Sequence, residues 1–229
     1  MNKIRDLARK EFGNLSAFDW VFLCSMLVLQ VIVFVACPDT WLNIVAGIAG
    51  VISVVLCARG KISFYFIGFV QTFSYLYLAW NARFYGEVIE NLWYFVTMIW
   101  GIFVWKDNLS VDKDGGQQVE SLKFTPKQWF WSVVGTIAAT IIMGFFLERI
   151  GSAQAYTDAA TNVMAIFAQI LMVKRYREQW LWWFVIDIFC IKLWFVAGNW
   201  SMVAMYVAWT INCIYGWVNW TKEARKNGV

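Results

Sequence analysis

The sequence predicts an all-α polytopic membrane protein, and three observations support this fold class. Hydrophobic residues make up 61% of the 229 positions, and the mean hydropathy is +0.56. These residues are gathered into eight long apolar runs, and the basic residues collect at alternate ends of the runs. Because a soluble domain is only about 45–50% apolar, we expect the excess to face lipid.

Each apolar run is long enough to cross a bilayer as a helix, which takes about 20 residues. The eight predicted transmembrane helices cover residues 18–36, 41–58, 62–80, 84–105, 127–147, 156–173, 180–197 and 200–220. Pro38 and Pro126 both fall at helix boundaries, where a missing N–H does least harm. The first run is too long for a signal peptide and lacks a small-residue cleavage pattern after it, so no cleaved leader is expected.

The basic residues predict how the helices are oriented. With the N-terminus in the cytoplasm, 16 of the 19 Lys and Arg residues fall in cytoplasmic segments, and only Arg83 and Arg149 fall outside. The remaining one, Lys192, lies within a span. This distribution follows the positive-inside rule and predicts that both termini are cytoplasmic. It also explains the net charge of +4 without a nucleic-acid partner.

An internal repeat is visible when the segments beginning at Asn43 and Asn162 are compared. Both contain an apolar helix and a short basic turn, and they end on "WGIFVWK" at 100–106 and "YGWVNWTK" at 215–222. The spacing between the copies is 119 residues at the start and 115 at the end. The alternative is chance similarity, since apolar helices resemble one another easily.

One helix between two three-helix copies gives both copies the same orientation, so the core is predicted to be a 3+1+3 parallel repeat. The predicted segments are 1–40 with an extra N-terminal helix, 41–106 as the first bundle, 107–155 as a loop and linking helix, and 156–229 as the second bundle. The loop from 107 to 125 is polar and is predicted to be a solvated cytoplasmic connector. In this alignment Gly68 matches Asp187, Phe64 matches Trp183 and Tyr94 matches Trp209.

The residue types present leave little support for catalysis or a bound cofactor. Histidine, the commonest general base and metal ligand, is absent. The five cysteines are isolated in the chain without C-x-x-C spacing, so neither a zinc site nor a redox motif is predicted. They are Cys24, Cys37, Cys57, Cys190 and Cys213, and we interpret them as small packing residues. We therefore expect no enzyme, metal or cofactor.

Polar side chains at depth in the membrane indicate a binding site, because burying them is costly. Counting about 1.5 Å per helical residue, polar residues of four helices reach a similar central depth. By helical spacing, Glu87, Asn91 and Tyr94 share a face, as do Trp183, Asp187 and Cys190. The candidate substrate-binding residues are Gln71, Glu87, Asn91, Tyr94, Trp183, Asp187 and Asn212.

Each candidate also has a purely structural interpretation. Asp187 could pair with a neighbouring hydroxyl or amide, and Gln71 and Asn91 could form hydrogen bonds between helices. Glu87 and Glu90 lie close enough to the outer end of their helix to be solvated, and Lys192 is expected to reach the outer interface. Trp180 is expected in the interfacial belt, and Trp182 against lipid or in packing.

The candidate residues suggest a ligand of definite chemistry. Tryptophan faces favour flat rings and attract cations, and a carboxylate adds charge or accepts hydroxyls. Amide side chains can read an amide edge. The ligand is expected to be small and flat, to carry hydroxyl groups, and to be either neutral or cationic.

Three features resemble the PnuC family of bacterial vitamin transporters, specifically its nicotinamide riboside members. They are Gln71, "ENLWYFVTMIWGIFVWK" at 90–106, and the W-x-x-W-x-x-x-D pattern of Trp180, Trp183 and Asp187. The resemblance covers nearly all of the chain after the first helix. By motif match, it implies that Gln71, Asn91, Trp183 and Asp187 contact the ligand, whereas Asn212 rests on depth alone.

The family resemblance implies a SWEET-like fold in the bacterial inner membrane. It further implies facilitated uptake of nicotinamide riboside, a pyridinium cation with a carboxamide and a ribose, trapped inside by a separate cytoplasmic kinase. Thiamine or a sugar is the alternative substrate, and a membrane receptor or scaffold with structural polar groups is the alternative class. The sequence is compatible with a monomer or with a homo-oligomer such as a trimer.

Overall fold

The structure is a computed structural model that describes residues 11, 15–36, 40–81, 83, 85–111, 115–152, 154–196, 198 and 200–226, except for the side chains at 85–87, 194, 200 and 201. Eight long helices occur in these residues. They are α1 (Ala17–Ala36), α2 (Trp41–Ala58), α3 (Ser63–Asn81), α4 (Tyr85–Lys106), α5 (Pro126–Arg149), α6 (Ala155–Val173), α7 (Gln179–Val196) and α8 (Trp200–Lys226). A short hairpin of β1 (Leu109–Val111) and β2 (Gln117–Val119) follows α4. Every predicted span therefore corresponds to a helix.

The chain forms two compact units, residues 1–121 and 122–229. In the first unit α1 packs on α2, α2 on α3 and α3 on α4. In the second unit α5 packs on α6, α6 on α7 and α7 on α8. Each unit is therefore a bundle in which helices contact their neighbours in sequence, as short connections favour.

Five helices in the described residues are long and apolar enough to cross a membrane. They are Ala17–Ala36, Trp41–Ala58, Val88–Lys106, Pro126–Arg149 and Ala155–Val173. The helices α3 and α8 are less apolar because tyrosine, tryptophan and amide side chains interrupt their aliphatic residues. The helix α7 is not described in full, because the side chain of Trp194 lies outside the described part. Several membrane crossings therefore follow from the structure, and the number eight stays a prediction.

The helices α2 and α6 end in the same way. Gly60 and Arg175, each two residues after its helix, have left-handed backbones with φ of 64° and 67°. Lys61 N–H bonds the Leu56 carbonyl and Tyr176 N–H bonds the Leu171 carbonyl, at 3.0 and 2.9 Å. These bonds satisfy carbonyls that the helix end leaves free, the role of a Schellman motif. The two turns are 115 residues apart.

The helix α5 begins with a capping box. Gln128 N–H donates to the Thr125 hydroxyl at 3.3 Å, and Thr125 N–H donates to the Gln128 side chain at 2.8 Å. Pro126 occupies the first turn, where its fixed φ suits a helix and no donor is lost. The predicted helix boundary at this proline is confirmed.

The connector after α4 differs from the solvated loop that its polar sequence predicts. Val119, Ser121 and Phe124 are buried. Val119 N–H bonds the Gly60 carbonyl at 2.8 Å in the first unit, and Leu122 N–H bonds the Arg175 carbonyl at 2.8 Å in the second. The expectation of a solvated loop is wrong for this stretch, because buried side chains and main-chain hydrogen bonds together attach it.

The basic residues of the α2–α3 turn contact neighbouring segments of the chain. Lys61 is fully buried, and its ammonium donates to the Gln117 carbonyl of β2 at 2.7 Å. Arg59 pairs with the buried Asp19 of α1 at 3.4 Å. Basic residues that the sequence analysis uses for orientation therefore also bind neighbouring segments.

An aromatic ring packs on a glycine near the same end of each unit. In the first, Tyr65 lies against Gly101 and meets Trp105 edge to face, with ring centroids 5.2 Å apart. In the second, Trp180 lies against Gly216 and meets Trp220 edge to face at 6.0 Å. The expectation that Trp180 belongs to the interfacial belt is wrong, because its ring fills this contact and is only 4% exposed.

Substituting Gly216 tests how closely α7 and α8 must approach. A Cβ at this position would overlap the indole of Trp180, so Gly216→Ala is expected to lower the free energy of unfolding by about 1–3 kcal/mol. Thermal unfolding of the detergent-solubilised protein measures the effect.

Gly135→Ala is the matched control. A Cβ at Gly135 of α5 would meet nothing within 4 Å, so this variant should unfold at the wild-type temperature or above it, since alanine favours helix. Equal midpoints for the two variants would contradict the close packing of Trp180 on Gly216.

Candidate functional site

Asp187 is the central residue of the candidate site in the second unit. It lies in the middle of α7 and is only 4% exposed. The thiol of Cys213 on α8, itself 5% exposed, donates to Asp187 Oδ2 with the sulfur 3.4 Å from the oxygen. Within the described part of the chain, no other hydrogen bond reaches the carboxylate.

A buried carboxylate with such a partner is incompletely satisfied. Buried charges are normally paired with an opposite charge or several good donors, and a thiol is a weak donor. Among the described residues, no hydroxyl or amide is hydrogen-bonded to Asp187, although its structural interpretation requires one. The carboxylate can therefore accept further hydrogen bonds or form an ion pair with a cation.

Trp183 lies one helical turn before Asp187, as predicted. Its half-buried ring packs beside a small core formed by Met164 and Ala165 of α6 and Ile186 of α7. The neighbouring Trp182 meets Phe167 of α6 edge to face, with ring centroids 5.3 Å apart. Both tryptophans thus pack on α6, and of the two expectations for Trp182 it is packing that the structure supports.

Asn212 completes the candidate residues of the second unit. It precedes Cys213 on α8 and is buried. The α7–α8 pair therefore presents a carboxylate, a thiol and an amide in consecutive or contacting positions, and all three are shielded from solvent.

The remaining candidates lie in the first unit, where each can be described separately. Gln71 of α3 rests on Gly50 of α2, where a Cβ would come within 2.8 Å of its amide nitrogen. Asn91 of α4 is buried. Tyr94 donates its hydroxyl to Glu90 one turn earlier, at 2.8 Å. Glu87 is also a predicted substrate contact, but its side chain lies outside the described residues.

Two pairs of buried side chains are joined by hydrogen bonds that the sequence does not predict. Besides Cys213 with Asp187, the buried Thr72 of α3 donates to the sulfur of Met98 on α4 at 3.6 Å. Thr72 is 115 positions before Asp187, and Met98 is 115 positions before Cys213. A spacing of 115 pairs Thr72 with Asp187, whereas the spacing of 119 pairs Gly68 with Asp187.

A constant spacing of 115 changes the other match as well. At this spacing Gly68 would match Trp183, in place of Phe64. A Cβ at Gly68 would come within 2.8 Å of the Met98 methyl, so this position in the first unit has no room for a ring. The match of Tyr94 with Trp209 keeps its spacing.

Helices that can cross a membrane, with a carboxylate and amides buried among them, define a multi-pass membrane protein of the transporter class. A family model described as nicotinamide mononucleotide transporter matches residues 40–222. The chain therefore belongs to this family, the family of the PnuC transporters.

Curated relatives and a solved structure agree with this assignment. The nicotinamide riboside transporter PnuC of Haemophilus influenzae is 37% identical over 91% of this chain and 92% of its own length. The transporter of the same name from Neisseria mucosa is 36% identical over 98% and 90%. A crystal structure of the vitamin B3 transporter PnuC matches with a TM-score of 0.84 and 34% identity, covering 97% of this chain and 98% of the other.

Replacing the carboxylate tests whether Asp187 is under-satisfied. Without ligand, Asp187→Asn is expected to raise the free energy of unfolding by about 1 kcal/mol, because a neutral amide is cheaper to bury than a poorly paired charge. The midpoint of thermal unfolding in detergent reports the change.

Asp19→Asn provides the contrast, since Asp19 is equally buried and has a basic partner. Its carboxylate accepts Ser16 N–H at 2.7 Å and lies 3.4 Å from Arg59 Nε. This variant should lose about 1–3 kcal/mol. A loss of similar size in Asp187→Asn would show that Asp187 is a structural partner in the empty protein.

Proposed function

We propose that the protein is a facilitative importer of nicotinamide riboside in the bacterial inner membrane. The observation that carries the proposal is the buried Asp187, which accepts from a single thiol among the described residues and lies one turn from the half-buried ring of Trp183. A cationic, hydroxyl-bearing ring is the ligand that such a pair suits. Two relatives at 37% and 36% identity are named nicotinamide riboside transporters.

The substrate's groups match the candidate side chains in kind. The pyridinium ring suits the face of Trp183, and Asp187 can accept ribose hydroxyls or balance the positive charge. The carboxamide suits the amides Gln71, Asn91 and Asn212, each of which can donate and accept at once. Tyr94 and Glu87 complete the proposed binding set.

The proposed architecture is SWEET-like, with eight membrane crossings and two three-helix bundles at 41–106 and 156–229. A linking helix in 107–155 joins the bundles, and 1–40 adds the extra N-terminal helix. The repeat is supported by turns, ring-on-glycine contacts and sulfur contacts that recur at a spacing of 115 residues. Both termini are cytoplasmic in this proposal, as the basic residues indicate.

In the cell, a separate cytoplasmic kinase would trap the imported substrate by phosphorylation. The transporter itself then needs only to let its substrate equilibrate, because phosphorylation keeps the internal concentration of free substrate low. Thiamine and sugars remain the alternative substrates, and a receptor or scaffold remains the alternative class.

Calorimetry on the purified protein tests the substrate directly. Nicotinamide riboside should bind, whereas thiamine and glucose titrated under the same conditions should not. Trp183→Ala and Asn91→Ala are each expected to weaken binding at least tenfold, or about 1.4 kcal/mol, since each removes a proposed contact.

Trp131→Ala is a suitable control, because Trp131 of α5 is exposed and lies outside the proposed site. Its affinity for nicotinamide riboside should equal that of the wild type. Unchanged affinity in both Trp183→Ala and Asn91→Ala would refute the site, and selective binding of thiamine or glucose would refute the substrate.

Uptake into proteoliposomes tests the facilitative mechanism. If a monovalent cation crosses alone, an inside-negative potential of about 100 mV supplies about 2.3 kcal/mol, which is roughly a 50-fold accumulation. A potassium gradient with valinomycin sets the potential, and vesicles without the protein give the background. Accumulation that ignores the potential but follows a pH gradient would indicate proton exchange.

A further inference from the structure

We infer that Cys213 is a positioning residue that orients the Asp187 carboxylate toward substrate; this inference rests on the proposed function. Cys213 lies on α8 and Asp187 on α7, so the bond between them crosses from one helix to the next. Cysteines in apolar runs are ordinarily packing residues, and the sequence alone suggests the same role for Cys213. The position of its thiol gives it a second role.

The two carboxylate oxygens of Asp187 differ in their hydrogen bonding. The Cys213 sulfur lies 3.4 Å from Oδ2, and Oδ1 makes no hydrogen bond to any described residue. A single donor from α8 restricts rotation of the carboxylate about its bond to Cβ. The arrangement therefore holds one oxygen and leaves the other available to a hydroxyl or a cationic ring.

The first unit contains an independent counterpart of this contact. Thr72 and Met98 are each 115 positions before Asp187 and Cys213, and the Thr72 hydroxyl donates to the Met98 sulfur at 3.6 Å. In both units a sulfur on the last helix meets an oxygen on the preceding one. The sulfur residue matches its partner: a thioether accepts from the hydroxyl, and a thiol donates to the carboxylate.

Substitutions at Cys213 distinguish a positioning role from a packing role. If Cys213 only filled space, a small residue with or without a donor would serve equally well. If it orients Asp187, Cys213→Ser should keep function because a hydroxyl also donates, whereas Cys213→Ala should lose it. Cys57→Ala is the matched control, since it deletes another buried thiol, on α2, that is not among the described hydrogen-bond donors to Asp187.

The binding experiment measures nicotinamide riboside affinity of the full-length protein by calorimetry. We expect Cys213→Ala to weaken affinity about five- to tenfold, with Cys213→Ser and Cys57→Ala within twofold of the wild type. In an Asp187→Asn background, Cys213→Ala should have no further effect, because the thiol acts through the carboxylate. Equal affinity losses in Cys213→Ser and Cys213→Ala, or a full additional loss in the double variant, would overturn the inference.

A ligand-free measurement separates this inference from the proposed function. The infrared S–H stretching band of Cys213, identified by its loss in Cys213→Ala, should move to higher frequency in Asp187→Asn because an amide accepts more weakly than a carboxylate. An unmoved band would overturn the inference even if wild-type binding is intact. A moved band together with no binding of nicotinamide riboside by the wild type would overturn the substrate and the positioning role, while keeping the bond itself.

Discussion

The packing of an aromatic ring on a glycine sets the distance between the last two helices of each unit. Trp180 on Gly216 brings α7 against α8, and Tyr65 on Gly101 does the same for α3 and α4. Small residues allow such an approach in lipid, where the hydrophobic effect cannot drive helices together. Once the helices are this close, a carboxylate or hydroxyl two turns further along reaches a sulfur on the neighbouring helix. The polar site therefore depends on an apolar contact.

Much of the fold follows from local sequence patterns. Apolar runs and the two prolines predict where the helices begin and end, because a spanning helix needs a minimum length and proline disfavours a helix interior. The burial of Asp187 and Asn212 follows from their depth in those runs. These features depend only on neighbours in the chain, so a single sequence is sufficient to predict them.

Features that depend on distant partners are harder to predict. A tryptophan at a helix end suits the membrane interface equally well, and Trp180 is distinguished only by Gly216, 36 residues later. In the sequence Cys213 has the features of a packing residue, and only its contact with Asp187 in the structure indicates another role. The polar connector contains no side-chain pattern that would reveal its main-chain bonds to Gly60 and Arg175. In each case the missing information was which residue lies opposite.

Those main-chain bonds bear on how the connector can diverge among related proteins. Val119 and Leu122 both attach through their backbone N–H groups, and Lys61 reaches a backbone carbonyl. The exposed side chains of the connector are thus free to change, provided that proline does not remove a donor, whereas the buried Val119, Ser121 and Phe124 are restrained by packing. The spacing of the two donors is set by the number of residues between them. We therefore expect relatives to conserve the length of this stretch more strictly than its exposed residues.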